Sequence, residues 1–165
     1  MKTQTIASWT IEFDKAATQA AYAALSPAMD CTCQTCQNFE KAAPSLPKAV
    51  FDFFEQFGID LLKPPEVYDI RGCNDDGRVF YGGWYHIIGN YLEGDDAWQS
   101  EGKNPPPLFE VAEDFKIGFT RSVSPTREGF PRPIVQMEVY FYLPWVLGDN
   151  SKKQTDNKGK SNESN

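Results

Sequence analysis

Phe80-Tyr81-Gly82-Gly83-Trp84-Tyr85-His86-Ile87-Ile88-Gly89 is the stretch from which the fold can be read outward. Side chains alternate between the two faces of a strand. Phe80, Trp84, His86 and Ile88 therefore share one face, and Tyr81, Tyr85 and Ile87 the other. A one-sided strand shows water a polar face; here both faces are bulky and aromatic, so the stretch reads as a central strand. Gly82-Gly83 predicts a bulge or a close backbone approach. His86 on an apolar face reads first as a core histidine hydrogen-bonded to a polar group, and second as a metal ligand or general base.

The flanking segments supply its neighbours. Residues 66–73 and 78–89 form two β-prone runs around Asn74-Asp75-Asp76-Gly77, and Asp-Gly at such a junction signals a hairpin. The spaced carboxylates of a calcium loop are missing there. Residues 6–13 place Trp9, Ile11 and Phe13 on one face; 109–123 and 134–147 alternate in the same way. Three helices are expected. Asp14 suits an N-cap for an alanine-rich helix over 15–25. A short helix over 36–43 ends before Pro44. Leu46, Val50, Phe53, Phe54 and Phe57 recur at the spacing of one helix face, with Pro47 at the start and Gly58 past the end. The expected fold class is α+β: a mainly antiparallel sheet of four to five strands with the N-terminal helices packed on one face.

Residues 1–148 are expected to form a single α+β domain. Residues 149–165 contain no apolar side chain and read as a disordered polar tail. Residues 93–107 are acidic, then rich in glycine and proline, and read as a surface excursion anchored by Trp98.

Chemistry concentrates elsewhere, in Asp30-Cys31-Thr32-Cys33-Gln34-Thr35-Cys36-Gln37-Asn38-Phe39. It holds three of the chain's four cysteines. The spacing C-x-C-x-x-C at a predicted helix start lets three thiols converge on one soft ion, and the helix N-terminus favours thiolates. A closed zinc shell wants a fourth ligand. Cys73, the remaining cysteine, and His86, the one histidine, are the candidates beside Asp30. Without one, the position is open to water or substrate, as in catalytic zinc. Two other readings stand beside zinc: redox chemistry through Cys33 and Cys36, which in a thioredoxin-like protein would sit on a βαβ unit not found here, and cysteines that are merely buried. A low-pKa cysteine near His86 would make an enzyme of the Cys–His kind.

The chain has 165 residues and a formal charge of −7. An acidic chain argues against binding nucleic acid or anionic membranes. Residues 1–8 carry no apolar run of a signal peptide, and no stretch is long enough for a membrane span. A cytoplasmic location with reduced cysteines is the expectation, which favours metal or catalysis over disulfides. No P-loop, dinucleotide fingerprint, H-E-x-x-H or G-x-S-x-G occurs. Nothing names a partner or an oligomeric state.

Several segments together resemble an uncharacterised family of small bacterial proteins. They are the 30–39 cluster, Phe57-Gly58-Ile59-Asp60, Lys63-Pro64-Pro65-Glu66-Val67-Tyr68 and Tyr81-Gly82-Gly83-Trp84-Tyr85-His86. The resemblance spans much of residues 1–147 and implies no activity. The six-residue C-x-C-x-x-C is also similar to the catalytic zinc motif of glutathione-dependent formaldehyde-activating enzymes. That family carries a second, structural zinc site made of two further cysteine pairs, and those pairs are missing here. The expectation is a zinc-binding protein that acts as a binding or interaction module through Cys31, Cys33 and Cys36.

Overall fold

The computed structural model describes residues 1–26, 31–98 and 106–148. The expected tail at 149–165, the candidate ligand Asp30 and part of the acidic excursion lie outside the described residues. The strands are β1 (Lys2–Ile6), β2 (Trp9–Phe13), β3 (Glu66–Cys73), β4 (Arg78–Glu93), β5 (Phe109–Ala112), β6 (Phe115–Thr120) and β7 (Ile134–Pro144). The helices α1 (Lys15–Ala24), α2 (Gln34–Ala42) and α3 (Lys48–Gln56) fall between β2 and β3. The sheet is antiparallel, in the order β1-β2-β4-β7-β6-β5, with β3 also paired to β4.

The fold class is α+β, with seven strands instead of the expected four to five. Both extra strands come from hairpins tighter than the apolar pattern reveals. Ala7, at φ 50°, turns β1 into β2, and Asp114, at φ 61°, turns β5 into β6. β1 begins Lys-Thr-Gln-Thr and stays largely exposed, so it has no apolar face to detect.

One sheet face carries the aliphatic and aromatic core. Phe39 of α2 packs on Tyr81 and Phe141, with ring centroids 6.3 and 6.1 Å apart. Phe54 of α3 meets Tyr85 at 4.8 Å and Phe115 at 5.8 Å. Phe57 meets Phe13 at 4.9 Å. The Phe-rich stripe of α3 is buried as its spacing predicts. Gly58, at φ 77°, ends the helix where any Cβ would run into the backbone carbonyl of Lys15.

β4 is the central strand, and its two edges differ. β7 pairs with one edge from Arg78 to Ile88. The other edge is shared: β3 takes Val79 to Trp84, and β2 takes Gly89 to Glu93. Between them the backbone of residues 85–88 has no strand partner, and α1 fills the gap. The Tyr22 hydroxyl donates to the His86 carbonyl (3.0 Å) and accepts from the His86 N–H (3.1 Å). One turn earlier, Thr18 Oγ1 accepts from Ile88 N–H (3.0 Å) and donates to the Asp14 carbonyl (2.8 Å). Asp14 N–H donates to the Ile88 carbonyl at 2.9 Å. Asp14 is also the N-cap, its Oδ1 accepting from Ala17 N–H at 2.9 Å.

Gly82-Gly83 is a close approach, and the register with β7 runs through it without a bulge. A Cβ on Gly82 would lie 2.7 Å from the Tyr68 ring, and one on Gly83 2.5 Å from the Glu66 carbonyl.

Tyr22→Phe keeps the ring against Phe130 (centroids 5.5 Å) but removes the hydroxyl that serves two buried backbone groups. It should destabilise the protein by roughly 1–3 kcal/mol and speed amide exchange at His86. Urea unfolding with hydrogen exchange checks both; unchanged values would mean that Tyr22 does not close the gap.

Candidate metal centre

α2 is fixed to the sheet by Asn38, which is fully buried. Its Nδ2 donates to the Tyr81 hydroxyl and to the Pro144 carbonyl, both at 3.1 Å, and its Oδ1 accepts from Val146 N–H at 2.8 Å. The Tyr81 hydroxyl in turn donates to the Thr35 carbonyl at 2.9 Å, and Thr35 Oγ1 donates to Asp69 Oδ2 of β3 at 2.9 Å. The first turn of α2 is thereby held over the end of the sheet where β3, β4 and β7 meet.

The cysteines stand on this anchored turn. Cys33 is the N-cap of α2, and its Sγ accepts from Cys36 N–H at 3.5 Å. Gln37 Nε2 donates to the Thr32 carbonyl at 2.7 Å, which ties the preceding loop to the helix. The sulfurs of Cys31, Cys33 and Cys36 all lie within 4.8 Å of one another. Tetrahedral zinc with Zn–S bonds of about 2.3 Å separates its sulfurs by about 3.8 Å, so closing the group on an ion needs only small side-chain adjustments. Cys31 and Cys33 are exposed and Cys36 is buried.

The thiols are not equivalent. Burial pushes Cys33 up, but hydrogen bonds from the Cys31 thiol, the Cys36 N–H and thiol, and the Thr35 N–H outweigh it and hold Cys33 below its ordinary value. Burial raises Cys36, and its hydrogen bonds and repulsion with Cys31 and Cys33 raise it further. Cys33 thus carries the first negative charge. This set of soft donors fits a thiophilic ion such as zinc or copper(I).

Cys73 and His86, both considered above as a fourth ligand, stand outside the three-sulfur group. Cys73 ends β3 opposite Val79, half-buried. His86 alternates with Tyr85 and so points to the sheet face away from α2. There its Nε2 lies 3.2 Å from Gln136 Oε1, and its ring lies 5.8 Å from Phe130. Gln136 Oε1 also accepts from Ser124 N–H at 2.6 Å, so His86 Nε2 is the donor in its pair. Gln136 Nε2 donates to Ser124 Oγ at 3.0 Å and to Glu138 Oε1. Burial pushes His86 down to about 4 and pushes the Glu138 carboxyl above its usual range. The first reading of His86, a core histidine bonded to a polar partner, is the arrangement observed. The alternation of β7 put Gln136 and Glu138 on this face but gave no sign that both are fully buried.

The chain matches no family model, no curated protein and no solved structure. Among the described residues no helix is long and apolar enough to cross a membrane.

Two measurements check these electrostatics. In metal-free protein, alkylation followed by peptide mapping should modify Cys33 at a pH below that of an ordinary thiol, and Cys36 last; a uniform rate would contradict the assigned asymmetry. The single imidazole should titrate by NMR with a midpoint near 4. His86 is neutral in the folded protein while the unfolded imidazole protonates at about 6.5. Its contribution to stability is therefore complete above about pH 6.5 and is lost as pH falls toward 4, by roughly 3 kcal/mol in all. Glu138, with a raised carboxyl, works in the opposite sense.

Proposed function

We propose that the protein binds zinc through Cys31, Cys33 and Cys36 and acts as a binding or interaction module. The observation that carries this reading is the convergence of three sulfurs on an anchored helix start. The Asn38, Tyr81 and Thr35 bonds fix that start whether or not the ion is bound. Binding would require the loss of thiol protons, least readily from Cys36, so affinity falls in acid. Zinc would clamp the loop carrying Cys31 to α2 and so add to stability. Three protein sulfurs leave a fourth position, on the exposed side of Cys31 and Cys33, for water or a donor group from a partner. A zinc ion in such a position acts as a Lewis acid and acidifies a bound water.

A second reading rests on the Cys33–Cys36 asymmetry alone: an exposed, low-pKa thiol beside a buried one, as in a cysteine-based enzyme that uses no metal. His86 gives that reading no support, since it faces the other side of the sheet.

Protein purified under reducing, chelator-free conditions should carry about one zinc per chain, with three of its four thiols protected until a strong chelator is added. Chelation should lower Tm, and combined serine replacement of Cys31, Cys33 and Cys36 should abolish both metal and chelator sensitivity. A folded, metal-free protein whose stability ignores added zinc would overturn the proposal and leave the thiol reading.

A further inference from the structure

The three-sulfur cluster has a second chemistry, which its geometry carries with or without an ion. Cys33 is the N-cap of α2, and Cys36 follows in the first turn. In a helix, positions three apart have Cα atoms about 5 Å from each other. A disulfide needs a Cα separation of roughly 4.4–6.8 Å. The two sulfurs already lie within 4.8 Å of each other. The Cys36 N–H, 3.5 Å from the Cys33 Sγ, keeps that sulfur against the turn. Bonding the pair therefore needs side-chain rotation and no backbone movement.

Access divides the two. Cys33 is exposed, so a small disulfide from solution can reach it. Cys36 is 2 % exposed, so it meets a sulfur already bonded at Cys33 and not the incoming molecule. Exchange runs through a mixed disulfide that a second thiol must break, and a sheltered thiol one turn behind the exposed one is placed to break it.

The fold also selects this pair among the cysteines. The turn carrying Cys36 is pinned to the sheet: Asn38 bonds Tyr81 and the Pro144 carbonyl, Tyr81 bonds the Thr35 carbonyl, and Thr35 bonds Asp69. Cys31 lies on the loop before the helix, which Gln37 joins to α2 through the Thr32 carbonyl. Cys73 stands outside the three-sulfur group.

The structure assigns to this cluster dithiol–disulfide exchange with a low-molecular-weight disulfide, its product a Cys33–Cys36 bond and its consequence the release of bound zinc. In the first step the Cys33 thiolate attacks one sulfur of the small disulfide. A bond forms between them, the S–S bond of the small molecule breaks, and one thiolate leaves. In the second step the Cys36 thiolate attacks the Cys33 sulfur. The Cys33–Cys36 bond forms, the mixed disulfide breaks, and the second thiolate leaves. The chain loses two electrons, and the small disulfide gains them to become two thiols. Their protons come from Cys33 and Cys36 in the metal-free protein, and from solvent when zinc is bound. Zinc leaves as the divalent ion. A zinc site needs thiolate ligands, and the product leaves Cys31 as the one free sulfur of the three. The release step rests on the zinc reading proposed above; the exchange itself does not.

The test treats the full reduced chain, metal-free and zinc-loaded, with bis(2-hydroxyethyl) disulfide. Differential alkylation read by fragmentation mass spectrometry should place the new bond between Cys33 and Cys36 and leave Cys31 and Cys73 as thiols. In the loaded protein a chelating dye should record about one zinc freed for each bond formed. Cys36→Ser removes the second thiol, so the reaction should stop at a mixed disulfide on Cys33 that the parent does not accumulate. A metal-free parent that keeps all its thiols, holds a stable mixed disulfide or joins a different pair overturns the inference, whether or not the chain binds zinc. An internal Cys33–Cys36 bond in a chain that takes up no zinc overturns the release step together with the zinc reading, and supports the exchange.

Discussion

Every backbone polar group of a buried strand needs a partner, and β4 meets this demand in an unusual way. Its sixteen residues outrun either strand on its second edge, so β3 and β2 each cover one end. The gap between them falls at His86 and Ile88, deep in the protein. Two hydroxyls one helical turn apart, on Thr18 and Tyr22, take the place of the missing strand. This fixes the axis of α1 against β4 and sets where the chain can leave the helix. Asp14 links the ends of the arrangement: it follows β2 directly, caps α1 with its side chain and pairs with Ile88 through its backbone. A hydroxyl both donates and accepts, so one tyrosine can serve both the N–H and the carbonyl of His86, which no aliphatic side chain could do.

Features that depend on near neighbours were legible in the sequence. The Asp14 cap, the Phe stripe of α3, the Asn74–Gly77 hairpin and the alternation of β4 and β7 each lie within a few residues. The cysteine cluster belongs with them, since six residues at a helix start can converge without help from the rest of the fold. The short edge strands β1 and β5 were hidden for the opposite reason: their side chains are mostly outside the core, so they leave little hydrophobic period to read. Long-range polar pairing was hidden too. Tyr22 and His86 are sixty-four positions apart, and nothing local marks an alanine-rich helix as the seal of a strand edge. Burial of Glu138 was invisible because alternation reports a face, not what covers it.

The two faces of the sheet divide the protein's chemistry. The helix-bearing face spends its aromatic residues on packing, ring against ring, from Phe13 to Phe141. The opposite face keeps half-exposed rings beside fully buried polar groups: His86, Gln136 and Glu138 in consecutive same-face positions across β4 and β7. A strand that is central in the sheet can therefore contribute to both without compromise, because neighbouring residues point in opposite directions. Tyr81 and Tyr85 anchor helices; Trp84 and His86, interleaved with them, belong to the other side.

The charge of the cysteine centre bears on what completes it. Three thiolates and one divalent zinc carry a net charge of −1, and a fourth thiolate or a carboxylate would make it −2, on a chain already at −7. A neutral fourth ligand, such as water or an imidazole supplied by a partner, avoids that added repulsion. The order of thiol acidity points the same way. Cys33 ionises readily at the exposed rim, while Cys36 gives up its proton only against burial and the charge beside it. A bound cation removes that penalty, since its charge is what the buried Cys36 thiolate lacks. The arrangement is therefore better matched electrostatically to a bound cation than to an empty, fully ionised cluster.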